Sequence, residues 1–330
     1  MTRKYCRTIR QTSLIALACL GTVMVNQARA QTVAAFPSRS IHIIVPFSPG
    51  GPVDIAARTL AQHLQAPLGQ PLLVESRPGA GTIIGTDVVA KSKPDGHTWL
   101  LTTSGISMNP SVYKKLPYDT LKDLAPVTLL LKTPWALVVN SNLPIKSVKD
   151  LVGHAKQNPG KLFYSSSGTA NQLTSELFNN HAGIKTIHSP YKGSAESLTA
   201  VVSGEVAFQF GNANNALRMA KAGKVRMLAV TSARRDAGMP DVPTVAESGM
   251  PGFESTVWFG VFTAGATPAP IQQRIHAEIS KIAGMDEVKK VLATVGSDHI
   301  PQGPEVFVPL FKDEVVQWAK VAKEAGIQPE

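Results

Sequence analysis

Two rhythms of apolar positions run along this chain. Ile41, Ile43, Ile44 and Val45 form a continuous β-branched run, the mark of a buried strand. The run stops at Pro46. After a Pro/Gly turn, Ala56, Ala57, Leu60, Ala61 and Leu64 recur at helical spacing. The same alternation continues. Strands are expected at Leu72–Glu75, Thr98–Thr102, Leu162–Ser165, Val206–Phe210 and Val225–Val230, with one more around Ile187. Between them, Ser147 with Asp150 makes a capping box ahead of Val148, Leu151, Val152 and Ala155, and Asn158-Pro159-Gly160 ends that helix. Leu173, Leu177 and Phe178 mark a helix, as do Leu198, Val201 and Val202. Ala216, Leu217 and Ala220 mark another, stopped at Gly223. Toward the C-terminus, Ile271, Ile275, Ile279 and Ile282 make one stripe, and Val306, Leu310, Val315, Trp318 and Val321 predict a long last helix. This βαβα order implies an α/β fold, with mostly parallel sheets flanked by helices.

Two extended segments break the rhythm. Residues 126–134 and 253–262 are Pro-flanked or strongly apolar and read as crossings between two lobes. They divide the chain into lobe 1, residues 31–131 plus 256–330, and lobe 2, residues 132–255, with a cleft between. Two crossings are the plan of a molecule that closes by hinge bending.

The N-terminus carries a different signal. Arg3, Lys4, Arg7 and Arg10 precede an apolar segment from Leu14 to Val25, and Ala28-Arg29-Ala30 is a cleavage sequence. Residues 1–30 are therefore expected to be a secretory signal cleaved after Ala30, too short in its apolar part to span a bilayer, which takes about 20 residues. Both cysteines, Cys6 and Cys19, lie in it, so the mature chain has no disulfide or thiol chemistry. The net charge of +10 shrinks as well. Five basic and no acidic residues lie in the signal, leaving 28 basic against 23 acidic residues, a balance of +5. That charge is spread out, without basic runs interleaved with aromatics, which argues against nucleic acid as a partner. A mild positive field assists the capture of small anions.

Candidate chemistry sits at the turns. Gly50 and Gly51 let a ligand approach the backbone, and Pro52 suits a first helical turn. The helix start beyond them favours an anion. Asp54 either complements the helix dipole or orients a ligand hydroxyl, amine or water. A second turn of this kind is Tyr164-Ser-Ser-Ser-Gly-Thr-Ala170, whose Ser166, Ser167, Gly168 and Thr169 serve as helix caps or as ligand donors. Thr102-Thr-Ser-Gly-Ile-Ser-Met-Asn109 reads as a polar loop at the carboxyl end of a strand, where ligands bind in open α/β sheets. Tyr191-Lys192-Gly193 follows the Ile187 strand, with Lys192 either a carboxylate partner or a solvated lysine. No G-x-S-x-G elbow or Walker sequence is present. Gly79-Ala-Gly81-Thr-Ile-Ile-Gly85 is one residue too long for a dinucleotide fingerprint and reads as a turn entering a helix. The eight scattered histidines suggest no zinc site. Neither metal nor cofactor is expected.

Several longer stretches carry a family resemblance. They are Ile44-Val-Pro-Phe-Ser-Pro-Gly-Gly-Pro-Val-Asp54, Val74-Glu-Ser-Arg-Pro-Gly-Ala-Gly81, Asn109-Pro110, Leu116-Pro-Tyr-Asp119, Asp123 and Pro126-Val127. Pro190-Tyr-Lys-Gly193, Leu228-Ala-Val-Thr-Ser232, Pro240-Asp-Val-Pro-Thr-Val-Ala-Glu-Ser-Gly249 and Ala325-Gly-Ile-Gln-Pro-Glu330 complete the set. Over essentially its whole mature length the chain resembles the Bug-type solute receptors, the extracytoplasmic binding subunits of tripartite tricarboxylate transporters. The resemblance implies a two-lobe type II periplasmic-binding-protein fold and one small organic carboxylate held in the cleft with ordered water. It implies that the turn from Phe47 and Ser48 through Gly50 and Gly51 to Asp54 closes over a carboxylate. Thr103, Ser104 and Ser166–Thr169 would add donors, with Tyr191 beside them. Membrane subunits of the transporter are the implied partners of a monomeric periplasmic protein. One departure stands out. Where many members carry acids, this chain has Ala207 and Gly211-Asn212, leaving Gln209 and Asn212 as neutral groups. A ligand with carboxylates and no amine is therefore expected. Binding without turnover is the favoured reading. The rivals are a secreted acyl hydrolase using Ser166 or Ser104, for which the sequence places no histidine near either loop, and a ligand sensor for a membrane signalling partner.

Overall fold

β1 (Ile41–Val45) is the strand that the β-branched run demands, buried everywhere but His42. It pairs in parallel with β2 (Leu72–Ser76) and β3 (Thr98–Thr103). These strands belong to a computed structural model that describes residues 36–191, 193–236, 238–296, 301–327 and 329. The expected signal and its cleavage site lie outside the described residues, as does Lys192. α1 (Pro52–Leu68) follows β1 and turns Val53, Ala56, Ala57, Leu60 and Leu64 inward. α2 (Ile83–Ala90) follows β2 through a single 3₁₀ turn, so the Gly79–Gly85 stretch is a turn entering a helix. α3 (Gly105–Val112) follows β3.

β4 (Leu124–Asn140) connects the two halves of the molecule. Up to Pro134 it runs antiparallel to β9 (Thr256–Ala264) in the first sheet. From Trp135 onward it pairs with β7 (Phe208–Asn212) and β8 (Val225–Val230) in the second. The exchange falls at Pro134, which has no N–H to offer either ladder. The chain returns at the same place. Ser255 N–H donates to Thr231 O of the second sheet, and Thr256 pairs with Pro134 in the first. β5 (Phe163–Ser166) lies parallel to β6 (Ile187–Pro190) and β7. Parallel pairs thus occupy the flanks, and every antiparallel pair among the described residues involves β4 or β9.

Each sheet is covered on both faces. Ile41, Ile43 and Val45 pack with α1 and with Ile271, Ile275 and Ile279 of α8 (Ala269–Ala283). Ile44 points the other way, into an aromatic cluster of Trp258, Phe262, Phe307 and Phe311. In the second sheet Leu137 and Val139 face α4 (Val148–Gln157) and α5 (Thr169–Ala182). Ala136 and Val138 face α6 (Ser194–Ser203) and α7 (Ala213–Lys221). This is the period-two split of strands buried on both sides. A short α9 (Asp286–Leu292) precedes the final helix, α10 (Pro304–Glu324).

Two elements differ from the sequence reading. Of the Thr102–Asn109 stretch read as loop, residues 105–109 lie in α3. Gly105, Asn109 and Pro110 are poor helix formers, and burial of Ile106 and Met108 overrides them. In α10 the buried stripe is Phe307, Phe311, Trp318, Val321 and Ala322, whereas Val306 is exposed. The stripe also changes allegiance along its length. Phe307 and Phe311 belong to the first sheet's aromatic cluster, Trp318, Val321 and Ala322 to the second sheet's core. α10 therefore ties the two halves together a third time. Among the described residues no helix is long and apolar enough to cross a membrane.

Candidate functional site

Three strands, β1, β3 and β5, end in turns that start helices, and each turn carries candidate residues. α1 begins after Gly51, α3 after Ser104 and α5 after Gly168, in every case without a side-chain cap. The first N–H groups of such helices have no acceptor within the helix, and the dipole concentrates partial positive charge there. By contrast α4 and α7 are capped, by Ser147 accepting from Asp150 N–H and by Asn212 accepting from Asn215 N–H. The Asn212 side-chain oxygen thus serves its own helix, which leaves its amide NH2 group.

The first turn is held by Asp54. Its Oδ2 accepts from Gly50 N–H and from Arg58 Nε, both at 2.9 Å. Gly50 has φ 79°, in the left-handed region where glycine is favoured. The Arg58 guanidinium holds the Asp54 carboxyl below its usual range, against the opposing effect of burial. Asp54 is 3 % exposed, yet its Oδ1 has no partner among the described residues. One acceptor is left for a hydroxyl, ammonium or water donor. Phe47 packs half-buried against the core, and Ser48 stands exposed beside it.

The second turn centres on Ser104. Its N–H donates to Trp258 O at 3.1 Å, and its buried Oγ has no partner among the described residues. Thr103 lies half-buried next to it. α3 then carries Met108 into the second sheet's core.

The third turn leaves β5. Ser166 Oγ lies 2.6 Å from His188 Nε2. No histidine lies near Ser166 along the sequence, and the fold supplies one in space. The parallel register sets Tyr164 opposite His188, and strand alternation brings Ser166 to the same face. Tyr164 stacks on the imidazole at 5.1 Å and donates a hydrogen bond from its hydroxyl to Glu176. Burial lowers the His188 pKa, which favours the neutral ring. Ser167 N–H donates to Asn171 Oδ1, while Gly168 is exposed and Thr169 opens the helix.

The remaining candidates support this turn from behind. Tyr191 N–H donates to Ser166 O at 2.8 Å, but its phenol donates to Glu205. Gln209 is 2 % exposed, with its carbonyl accepting from Ser197 Oγ at 2.7 Å. Sequence reasoning also missed Glu314. This acid stands on the buried face of α10 between Phe311 and Trp318, and an acid within that apolar stripe was the available signal. Among the described residues no group of His, Cys, Asp and Glu could hold a metal ion.

The family model for the tripartite tricarboxylate transporter family receptor matches residues 56–327. BugT of Bordetella pertussis is 36% identical over 320 residues, covering 94% of this chain and 97% of BugT. Rpa4515 of R. palustris, solved with adipate, superposes with a TM-score of 0.80 at 34% identity over 89% of this chain and 100% of its own. MatC from Rhodopseudomonas palustris, solved with bound malate, gives 0.75 at 29% identity over 87% and 100% of the two chains.

Proposed function

The chain belongs to the tripartite tricarboxylate transporter receptor family, and from that premise we propose that it captures a small organic carboxylate between its lobes and presents it to membrane transporter subunits. The observation that carries this reading is the set of three uncapped helix starts at the carboxyl ends of β1, β3 and β5. They supply N–H donors and positive dipole ends without a formal charge. Ser104 Oγ and Asp54 Oδ1, both buried and unpartnered among the described residues, are the side-chain groups that a ligand or its water would satisfy. Adipate and malate, the ligands of two similar proteins, are the chemistry to test first.

Capture proceeds by closure. In the open form the turns are wet. A carboxylate takes N–H groups from the β1 and β3 turns, and the β5 turn then closes over it and excludes water. The lobes are residues 31–131 plus 256–330 and residues 132–255, and they rotate about Pro134 and Ser255. The ligand shifts this equilibrium only by binding the closed form better. Gln209 has spent its carbonyl within the protein, and Ala207 has no charge to give. The lobe 2 wall therefore lacks an acceptor for an ammonium group, which favours a ligand without an amine. Export after cleavage at Ala30 places a monomer in the periplasm. Isothermal titration with adipate, malate and aspartate tests the reading. Binding of a dicarboxylate in preference to aspartate is expected, and binding of aspartate alone overturns it.

A further inference from the structure

Ser107 on α3 presents one hydroxyl proton to two acceptors. Its Oγ lies 2.7 Å from Ser104 O and 2.9 Å from Glu314 Oε2. A serine hydroxyl has one proton to donate. If Glu314 were a carboxylate, one of these short oxygen–oxygen contacts would have no hydrogen between the two atoms. A protonated Glu314 resolves the count. Oε2–H donates to Ser107 Oγ, and Ser107 O–H donates to Ser104 O. Trp258 Nε1–H reaches the carboxyl from the other side, 2.9 Å from each oxygen. The carboxyl thereby joins α10, β9 and α3 at the point where α10 passes from one core to the other.

We propose that Glu314 is a positioning residue that holds a proton and, through Ser107, sets the Ser104 turn for its ligand. The proposal rests on the reading of Ser104 as part of a carboxylate site. Ser104 is fixed from both ends, its N–H by Trp258 O and its carbonyl by Ser107. Its buried Oγ is left without a partner among the described residues. Loss of the Glu314 proton forces Ser107 to choose between Glu314 and Ser104, loosening the turn and adding a negative charge behind an anion site. Carboxylate binding and proton retention at Glu314 then favour one another, as linkage requires.

The surroundings agree. α3 and β9 present no ionisable side chain to the carboxyl, and β4 presents Lys132, whose charge opposes protonation. Glu176 and His181 on α5, and Arg274, His276, Glu278 and Lys281 on α8, are not among the groups acting on it. Burial outweighs the hydrogen bonds of Trp258 and Ser107 and the charge of Lys132, and pushes the carboxyl up to about 7.

The test uses the full mature chain and adipate, with malate as a second probe. Infrared difference spectra of wild type against E314Q should show the carbonyl band of a protonated carboxylic acid at about pH 6, absent near pH 8.5. Adipate affinity of the wild type should fall roughly fivefold or more across that range. E314Q keeps a donor toward Ser107 and an acceptor toward Trp258, so it should bind with a flat pH profile at the wild type's low-pH affinity. S107A should weaken binding and flatten the profile with Glu314 still present. A pH-dependent E314Q, or an acid band missing at the lower pH, overturns the proposal. If neither probe binds at any pH, the carboxylate reading fails, and the infrared band still decides whether Glu314 carries its proton.

Discussion

Asp54 and Gly50 close a ring across the first turn: the carboxylate at the start of α1 accepts the N–H of the glycine four residues before it, at 2.9 Å. The ring fixes the conformation of the turn even though a glycine such as Gly50 is free to adopt many. Asp54→Ala should therefore lower adipate affinity tenfold or more, through a turn that is no longer preorganised. Isothermal titration measures it. Asp54→Asn should fall between, since the amide oxygen still accepts from Gly50 but cannot pair with Arg58.

The same carboxyl has a pH signature. Its folded pKa lies below the unfolded value of about 3.9, chiefly through the Arg58 hydrogen bond. Its contribution to stability is present above that unfolded value and is lost as pH falls through the folded one. Arg58→Ala should shrink this acid-labile part, read as a smaller loss of denaturation midpoint between about pH 5 and pH 3.

His188 acts in the same direction, at higher pH and from a different cause. Its folded pKa lies below the ordinary value of about 6.5, because burial disfavours the charged ring. The folded state therefore binds fewer protons than the unfolded chain just below that value. Stability is full above it and declines as pH drops beneath it. His188→Gln should remove the decline, measured by thermal melts from about pH 7.5 to pH 5.

The Ser166–His188 pair also allows a direct check on hydrolysis. Burial is what lowers the ring's pKa, and among the described residues no carboxylate contributes to that shift as an orienting acid would. No turnover of nitrophenyl esters by the pure protein is expected. Turnover that vanishes in both Ser166→Ala and His188→Ala would establish a hydrolase instead.

Ser147 provides a control far from these turns. Its Oγ accepts from Asp150 N–H at 3.1 Å and caps α4. Ser147→Ala should cost about 1 kcal/mol of stability while leaving adipate affinity unchanged. A loss of affinity here would mean that stability, and not the turns, governs binding.

The sequence made some of this plain. The β1–turn–α1 unit is legible because a β-branched run, a Pro/Gly break and a helical stripe each report local physics. The α4 cap is legible because its spacing is itself the interaction. The α8 stripe is legible because all four of its isoleucines face one core. What was hidden depends on register and on tertiary burial. Ser166 and His188 meet only because β5 and β6 lie side by side in one particular alignment. α3 is a helix because its neighbours bury Ile106 and Met108, against its own composition. Only coordinates could reveal that the amide oxygens of Gln209 and Asn212 accept from Ser197 and Asn215, and that the Tyr191 phenol donates to Glu205.

One consequence follows from β4 lying in both sheets. Neither half owns a complete set of strands. A cut after Pro134 would leave β7 and β8 with their stretch of β4, yet carry β9 off with them, away from the part of β4 and from β3 with which it pairs in the first sheet. The two halves are thus not modules that evolution or an engineer can exchange at will. They share a seam, and any hybrid receptor assembled from two relatives must inherit that strand, together with its α10 buttress, from a single parent.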